Sequence, residues 1–351
     1  MAAREQHAVA APDFTLTVGG SSVPLDVRGM VTRILARDSV STAGTFEFDL
    51  TNWDATEGRV RWSDDSLFDP GKPVQIQLGY IEALGTVMDG EITGLEVTFP
   101  ETGAPLLTVR GYDRFHRLRR GRRTRSYLQV KDSDLASQIA GDLGLTPDVE
   151  ATAEVHPYLL QMNQTDVDFL LTRARAVGYE LSVDEKTLHF RKSRHDRGKV
   201  VSLGMTTGLL SFRAYLSTAD QVSKVAVRSW DHKAKEPLLG QASSATGTMG
   251  GQKAGPAASQ PFGTTTLTLV DVPVSTQNEA DLLAQGILDE LALGYVIAEA
   301  TAVGDPQLAA GTVVELGGLG QRFSGLYYIV EAAHVWDSRY VTHLDLRRNA
   351  A

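Results

Sequence analysis

A run of three short β segments punctuated by glycines occurs twice in this chain, once towards each end. No other feature limits the possible folds so tightly. The C-terminal copy occupies residues 309–348. Val313, Val314 and Leu316 lead into Gly317, Gly318 and Gly320, and residues 326–335 are rich in β-branched and aromatic side chains. After Asp337 and Ser338, Val341, His343 and Asp345 alternate with Thr342, Leu344 and Leu346. Alternation of period two marks a strand with one buried face. In the N-terminal copy, Gly71, Val74 and Ile76 match Gly311, Val314 and Leu316 at an offset of 240, and residues 89–97 match 324–332 at an offset of 235. A polar turn and a third alternating segment, residues 106–112, complete that copy. The pattern predicts a mainly β chain of two similar antiparallel β-barrel modules, with an α+β insertion between them.

The 351 residues are enough for several domains with a substantial core. A net charge of -9 argues against a specific nucleic-acid binder, which needs basic surface to neutralise phosphate. With no cysteine, disulfides, zinc–thiolate sites and cysteine nucleophiles are excluded. No apolar run approaches the roughly 20 residues of a membrane helix, so no membrane insertion is expected. Residues 1–12 lack the apolar core of a signal peptide and are expected to form a flexible tail.

Residues 13–112 read as the first β module, with about six strands and a polar, acidic loop from Trp53 to Lys72. An arginine run follows: Arg114, Arg117, Arg119, Arg120, Arg122, Arg123 and Arg125. In a chain with 43 acidic residues, it is expected to pair with acidic loops, its own or a partner's, rather than with a polyanion. Residues 113–200 read as a small α/β domain. Its first helix starts at Asp132 or Ser133 as cap, buries Leu135, Ile139 and Leu143, and stops at Gly144. Its second opens with Thr165 and Asp168 at capping-box spacing, buries Val167, Leu170, Leu171, Ala174 and Val177, and ends at Gly178 before a hairpin turning at Asp184 and Glu185. The second β module is expected to be split into residues 201–235 and 295–351. Between them, 236–294 holds a loop rich in small residues, Gln241–Gly263, and a helix capped by Thr276 and Glu279 with Leu283, Ile287 and Leu291 along one side.

No constellation of catalytic residues emerges. G-x-S-x-G, H-E-x-x-H and a phosphate-binding loop are absent, and the glycines at 317, 318 and 320 do not open a helix. Of the eight scattered histidines, only His334 and His343 are placed to face each other across a hairpin, a weak metal pair. Asp64 and Asp65 are adjacent and point apart if extended. Asp166 and Asp168 suit a first helical turn, where the helix dipole favours carboxylates. No catalytic, metal or cofactor-binding residue is assigned, and the chain is read as a non-enzyme without a cofactor.

Residues 161–181, with the hairpin after them, resemble a segment of contractile-tail baseplate hub proteins: the phage late control D-like hubs and the hub half of type VI valine-glycine-repeat proteins. The run from Gly304 through Pro306, Leu308, Gly311, Val314 and Leu316 to Gly325, Tyr327 and the closing strand is similar to the same family, as is the arginine-rich link after Tyr112. The resemblance spans about residues 13–348. It implies a homotrimeric ring with pseudo-sixfold symmetry, adapting a hexameric inner tube to a trimeric spike and contacting other baseplate subunits. It also implies cytoplasmic assembly into a phage tail or tail-like particle, without a signal peptide. No catalytic residue comes with it. Because hub–spike fusions continue into further β domains, the spike is expected to be a separate polypeptide. Two other readings carry over: a carbohydrate-binding or adhesion β-protein, for which Trp53, Trp62, Trp230 and Trp336 would have to form exposed platforms, and a tail-associated cell-wall hydrolase acting through scattered carboxylates.

Overall fold

The computed structural model describes residues 11–54, 56–251 and 253–351. Most of the tail expected over residues 1–12 lies outside that range, and Pro12 already opens the first strand. The first module comprises β1 (Pro12–Val18), β2 (Ser21–Ser22), a short helix α1 (Leu25–Met30), β3 (Val31–Ser39), β4 (Thr45–Thr51), β5 (Pro73–Tyr80), β6 (Ala83–Thr98) and β7 (Leu106–Asp113). Its strands lie in the order β1-β5-β6-β7-β4-β3, all antiparallel. The alternation seen in the sequence is the burial pattern: Phe46, Phe48 and Leu50 point into a core with Leu16, Ile34, Ile76, Leu78 and Val109. Each side chain of this size contributes about 1.5–3 kcal/mol when fully buried. The Trp53–Lys72 loop is pinned by buried Trp62 and Phe68, each in its own 3-10 turn.

The middle domain runs through β8 (Arg123–Val130), α2 (Asp132–Asp142), β9 (Thr146–Val149), β10 (His156–Gln164), α3 (Asp166–Val177), β11 (Tyr179–Asp184) and β12 (Thr187–Lys192). Local signals are realised closely in α3. The Thr165 hydroxyl accepts from the Asp168 amide at 3.1 Å, and Gly178 closes the helix in the left-handed region at φ 68°. At α2 the cap assignment is corrected. Lys131 is the cap residue and makes no side-chain cap bond, while Asp132 is buried and engaged elsewhere.

Next come β13 (Val201–Gly204), β14 (Leu209–Leu216), β15 (Lys224–Asp231), β16 (Glu236–Ala242), α4 (Gly255–Ala258), β17 (Thr266–Leu269) and α5 (Gln277–Leu293). The chain closes with β18 (Val296–Val303), β19 (Val313–Gly317), α6 (Gly320–Phe323), β20 (Gly325–Trp336) and β21 (Tyr340–Arg348). Here the expected boundary moves. β15 pairs with β16 and β17 rather than with β14, so the excursion leaves the second module shortly after Leu216, not at residue 236. Val225, Val227 and Leu238 of that small sheet pack against Ala280, Leu283, Ala284 and Leu288 of α5. Its buried face is therefore one turn-step away from the expected line, and Ile287 and Leu291 sit at its margin.

The remaining strands form the order β13-β19-β20-β21-β18-β14. Strand for strand, this repeats β1-β5-β6-β7-β4-β3, with one difference: β13 runs parallel to β19, whereas β1 is antiparallel to β5. Irregularities repeat as well. The β3/β4 ladder slips between Val31 and Arg33, and the β14/β18 ladder slips between Leu209 and Ser211. The β6/β7 ladder slips between Ile92 and Gly94, and β20/β21 between Ile329 and Glu331. Gly71 donates to the Ile92 carbonyl while Ile92 donates to Lys72; Gly311 donates to the Ile329 carbonyl while Ile329 donates to Thr312. Gly71 and Gly311 both hold positive φ, 91° and 79°. These matches pair Ile92 with Ile329 at an offset of 237. The offset of 235 suggested by the letters around Gly90 and Gly325 is two residues out of register. Bulges are conserved devices within a fold, so two in matched places mark the modules as copies.

The cores of the copies are filled from opposite sides. Phe46 lies over Gly111, its cross-strand neighbour, and over Gly90. At the corresponding places the second module has Ala298 opposite Leu346, with Tyr327 in the position of Gly90. Large and small have exchanged strands, leaving the total volume served and the letters unalike.

Candidate assembly surface

The two modules are not separate barrels touching at their surfaces. They are hydrogen-bonded into one 13-stranded sheet through a seam. One edge of β20 serves two partners in succession: Gly325–Tyr328 pairs with β19, and Glu331–Trp336 pairs antiparallel with residues 39 to 34 of β3. Ala332 and His334 are buried beside Ala36, Trp336 meets Phe14 edge-on at 4.5 Å, and Arg37 forms an ion pair with Glu331 at 3.1 Å. Asp38 accepts the Ala310 amide at 2.7 Å, but its Oδ1 has no partner among the described residues; burial pushes its carboxyl up to about 7.

His334 and His343 do not form a pair. The register sets His334 against Thr342 and His343 against Ala333, so their side chains leave opposite faces. His334 is buried, bonded to the Tyr340 hydroxyl at 2.8 Å, and burial pushes it down to about 4; His343 is exposed beside Thr301. Among the described residues, no group of three or more His, Asp or Glu side chains is gathered as a metal site. No helix among them is long and apolar enough to cross a membrane.

The arginine run is largely consumed within the chain. Arg114 is buried against Asp89 at 2.6 Å, Arg117 pairs with Glu91, Arg123 with Asp166 at 3.4 Å and Arg125 with Asp142 at 2.7 Å. The acids come from β6 and the helix ends rather than from loops. Burial alone would raise Glu91, but Arg117, His116 and Arg114 around it hold its carboxyl below the ordinary value. Arg119 and Arg120 line an open groove with Glu91, Tyr112 and His116. Asp65 accepts the Leu67 amide and Asp168 bonds the Thr165 hydroxyl, so both are turn and cap residues. Asp166 is buried and accepts from Gln161 at 2.9 Å. Trp62 is buried and Trp336 lies at the seam, whereas Trp53 and Trp230 are exposed.

One polar cluster had no sequence signal, because its members are up to 147 residues apart. Asp132 is held by Arg173 at 2.5 Å and by His156 Nε2 at 3.0 Å, and His156 Nδ1 reaches Glu279 of α5 at 3.2 Å. Bonds to Asp132 and Glu279 push His156 up to about 9 against burial and the nearby Arg173. The cluster ties the middle domain to the insertion and is fully occupied by its own members.

The fold is that of phage tail proteins. The chain superposes on a 43 kDa tail protein of prophage MuSo2 from Shewanella oneidensis with a TM-score of 0.73 at 16% identity, covering 97% of this chain and 99% of that one. A tail protein from Neisseria meningitidis gives 0.68 at 14% identity, with 97% of each chain covered. The E. coli c3393 protein, a component of the type VI secretion system with structural similarity to T4 bacteriophage tail proteins gp27 and gp5, gives 0.61 at 13% identity, covering 96% of this chain and 77% of that one. At such identities the likeness establishes fold alone, and no curated protein matches by sequence. A family model described as the Alg8 N-terminal domain matches residues 9–337. The chain belongs to the Alg8 N-terminal domain family.

Proposed function

We propose that this chain is a structural hub subunit of a contractile injection system or phage tail baseplate. It works as a homotrimer whose three copies present six nearly equivalent β modules to a hexameric inner tube and threefold symmetry to a spike. The duplicated strand order, with its two matched bulges, supports this reading most directly. A threefold assembly can meet a sixfold one without mismatch only if each subunit repeats its contact face. The fold shared with tail proteins of two bacteria agrees with it. The role needs no catalytic residue, and assembly takes place in the cytoplasm of the producing cell. The loops 53–72 and 241–263 serve as contacts for neighbouring baseplate subunits. Size-exclusion chromatography with light scattering tests the proposal: a particle of three chain masses that captures the tube protein is expected, and a monomer at every concentration would overturn it.

A further inference from the structure

Two of the open β edges in each copy match the two sides of the seam inside the chain, and the seam states what they fit. Past the stretch paired with β5, the edge of β6 from Gly94 onward has no partner among the described strands, although its other edge pairs with β7 as far as Thr98. In the second module this edge belongs to β20, where Glu331–Trp336 is covered by β3. The counterpart of β3 is β14, which pairs with β18 on one side and with no described strand on the other. The first module therefore shows the seam's socket empty, and the second shows its plug free.

We infer that Gly94–Phe99 of one copy pairs antiparallel with Phe212–Ser217 of a second copy, repeating the β20–β3 seam between chains. Transferring that register by the matched bulges sets Gly94 against Ser217, Leu95 against Leu216, Val97 against Ala214 and Phe99 against Phe212. Side-chain chemistry agrees independently of the topology. On the seam face, Leu95 and Val97 of β6 and Phe99 just past its end are all apolar and all exposed, at 36%, 38% and 66%. Their counterparts in the closed seam, Ala332 and His334, are buried at 0% and 1%. On β14 the facing row is Phe212, Ala214 and Leu216, again apolar, while Arg213 and Tyr215 alternate on the other face with Glu96 and Thr98 opposite. Neither edge carries a proline or a bulge within the paired stretch, and the charges they do carry, Glu96 on one and Arg213 on the other, are of opposite sign. Each copy offers one edge of each kind, so the contact is head to tail, the kind that forms a ring when the rotation between copies closes and a filament when it does not. The pairing does not depend on the number of copies; that three close the ring rests on the hub reading.

The chain has no cysteine, so a pair can be introduced cleanly. In the full-length protein carrying Val97→Cys and Ala214→Cys, the two thiols face each other across the seam, within disulfide reach of directly opposed strand residues. Oxidation is expected to give linked dimers and trimers on a denaturing gel, reversed by reductant. Thr98→Cys with Ala214→Cys, which puts the thiols on opposite faces, is expected to stay unlinked. Phe99→Lys lies just outside the strand and is expected to raise the trimer's dissociation concentration at least tenfold with its circular dichroism unchanged. A trimer by light scattering that fails to link at 97/214, or that links equally at 98/214, would overturn the pairing and leave the hub reading standing. A monomer that does not link would overturn both.

Discussion

If the modules are copies whose cores exchanged large and small residues, Phe46 and Gly111 must be energetically coupled. Phe46 is 2% exposed, and a Cβ on Gly111 would overlap its ring and the Glu91 carbonyl. Phe46→Ala removes the ring and is expected to cost about 3–5 kcal/mol. Gly111→Ala overpacks the same spot and is expected to cost about 1–3 kcal/mol. Together, the new methyl enters space the ring has left, as the larger Leu346 does beside Ala298 in the second module. Only the overlap with the carbonyl remains, so the double variant should be less destabilised than the sum by about 1–2 kcal/mol. Urea unfolding of the four proteins, followed by circular dichroism, measures this as a double-mutant cycle. Additivity within about 0.5 kcal/mol would refute the volume-exchange account.

Leu170 is fully buried in the middle domain, and Leu170→Asp should destabilise it by about 4 kcal/mol or more, read as protease sensitivity within 113–200; a resistant, assembling variant would contradict the helix face. His156 is raised from 6.5 to about 9, so its stabilising contribution is complete below about pH 6.5 and is lost as pH rises to about 9. Up to about 3 kcal/mol is at stake, and urea midpoints should fall between pH 6 and 10 in the parent protein but not through this group in His156→Gln. Asp38 is raised from 3.8 to about 7, so the native state loses stability as pH climbs through that window. Asp38→Asn should match the parent near pH 3.5 and exceed it by about 2–4 kcal/mol at pH 8, measured by the same titration.

What could be read from the letters alone was local. Phe46, Phe48 and Leu50 alternate because one face of β4 is buried; Thr165, Asp168, Thr276 and Glu279 cap helices because the donors they satisfy lie within a turn; Gly178 stops a helix through its own φ. The duplication was legible from hairpins closed by glycines, since Gly71 and Gly311 satisfy the same backbone bonds. Its register was not, because Phe46 and Gly111 exchange volume with Ala298 and Leu346, and complementary packing leaves no shared letters. The pattern of β15 points to the second module for a related reason: its valines suit any apolar neighbour, and only α5 packing against it settles that it joins β16 and β17. The seam, the half-buried Asp38 and the His156 cluster were likewise invisible, since each joins residues far apart in the chain. Sequence determined where strands and helices begin and which faces are apolar, because those depend on neighbours within a few residues. Tertiary structure decided which edges meet and which stay open, because a strand's backbone donors accept any partner of suitable register and only the assembled core selects one.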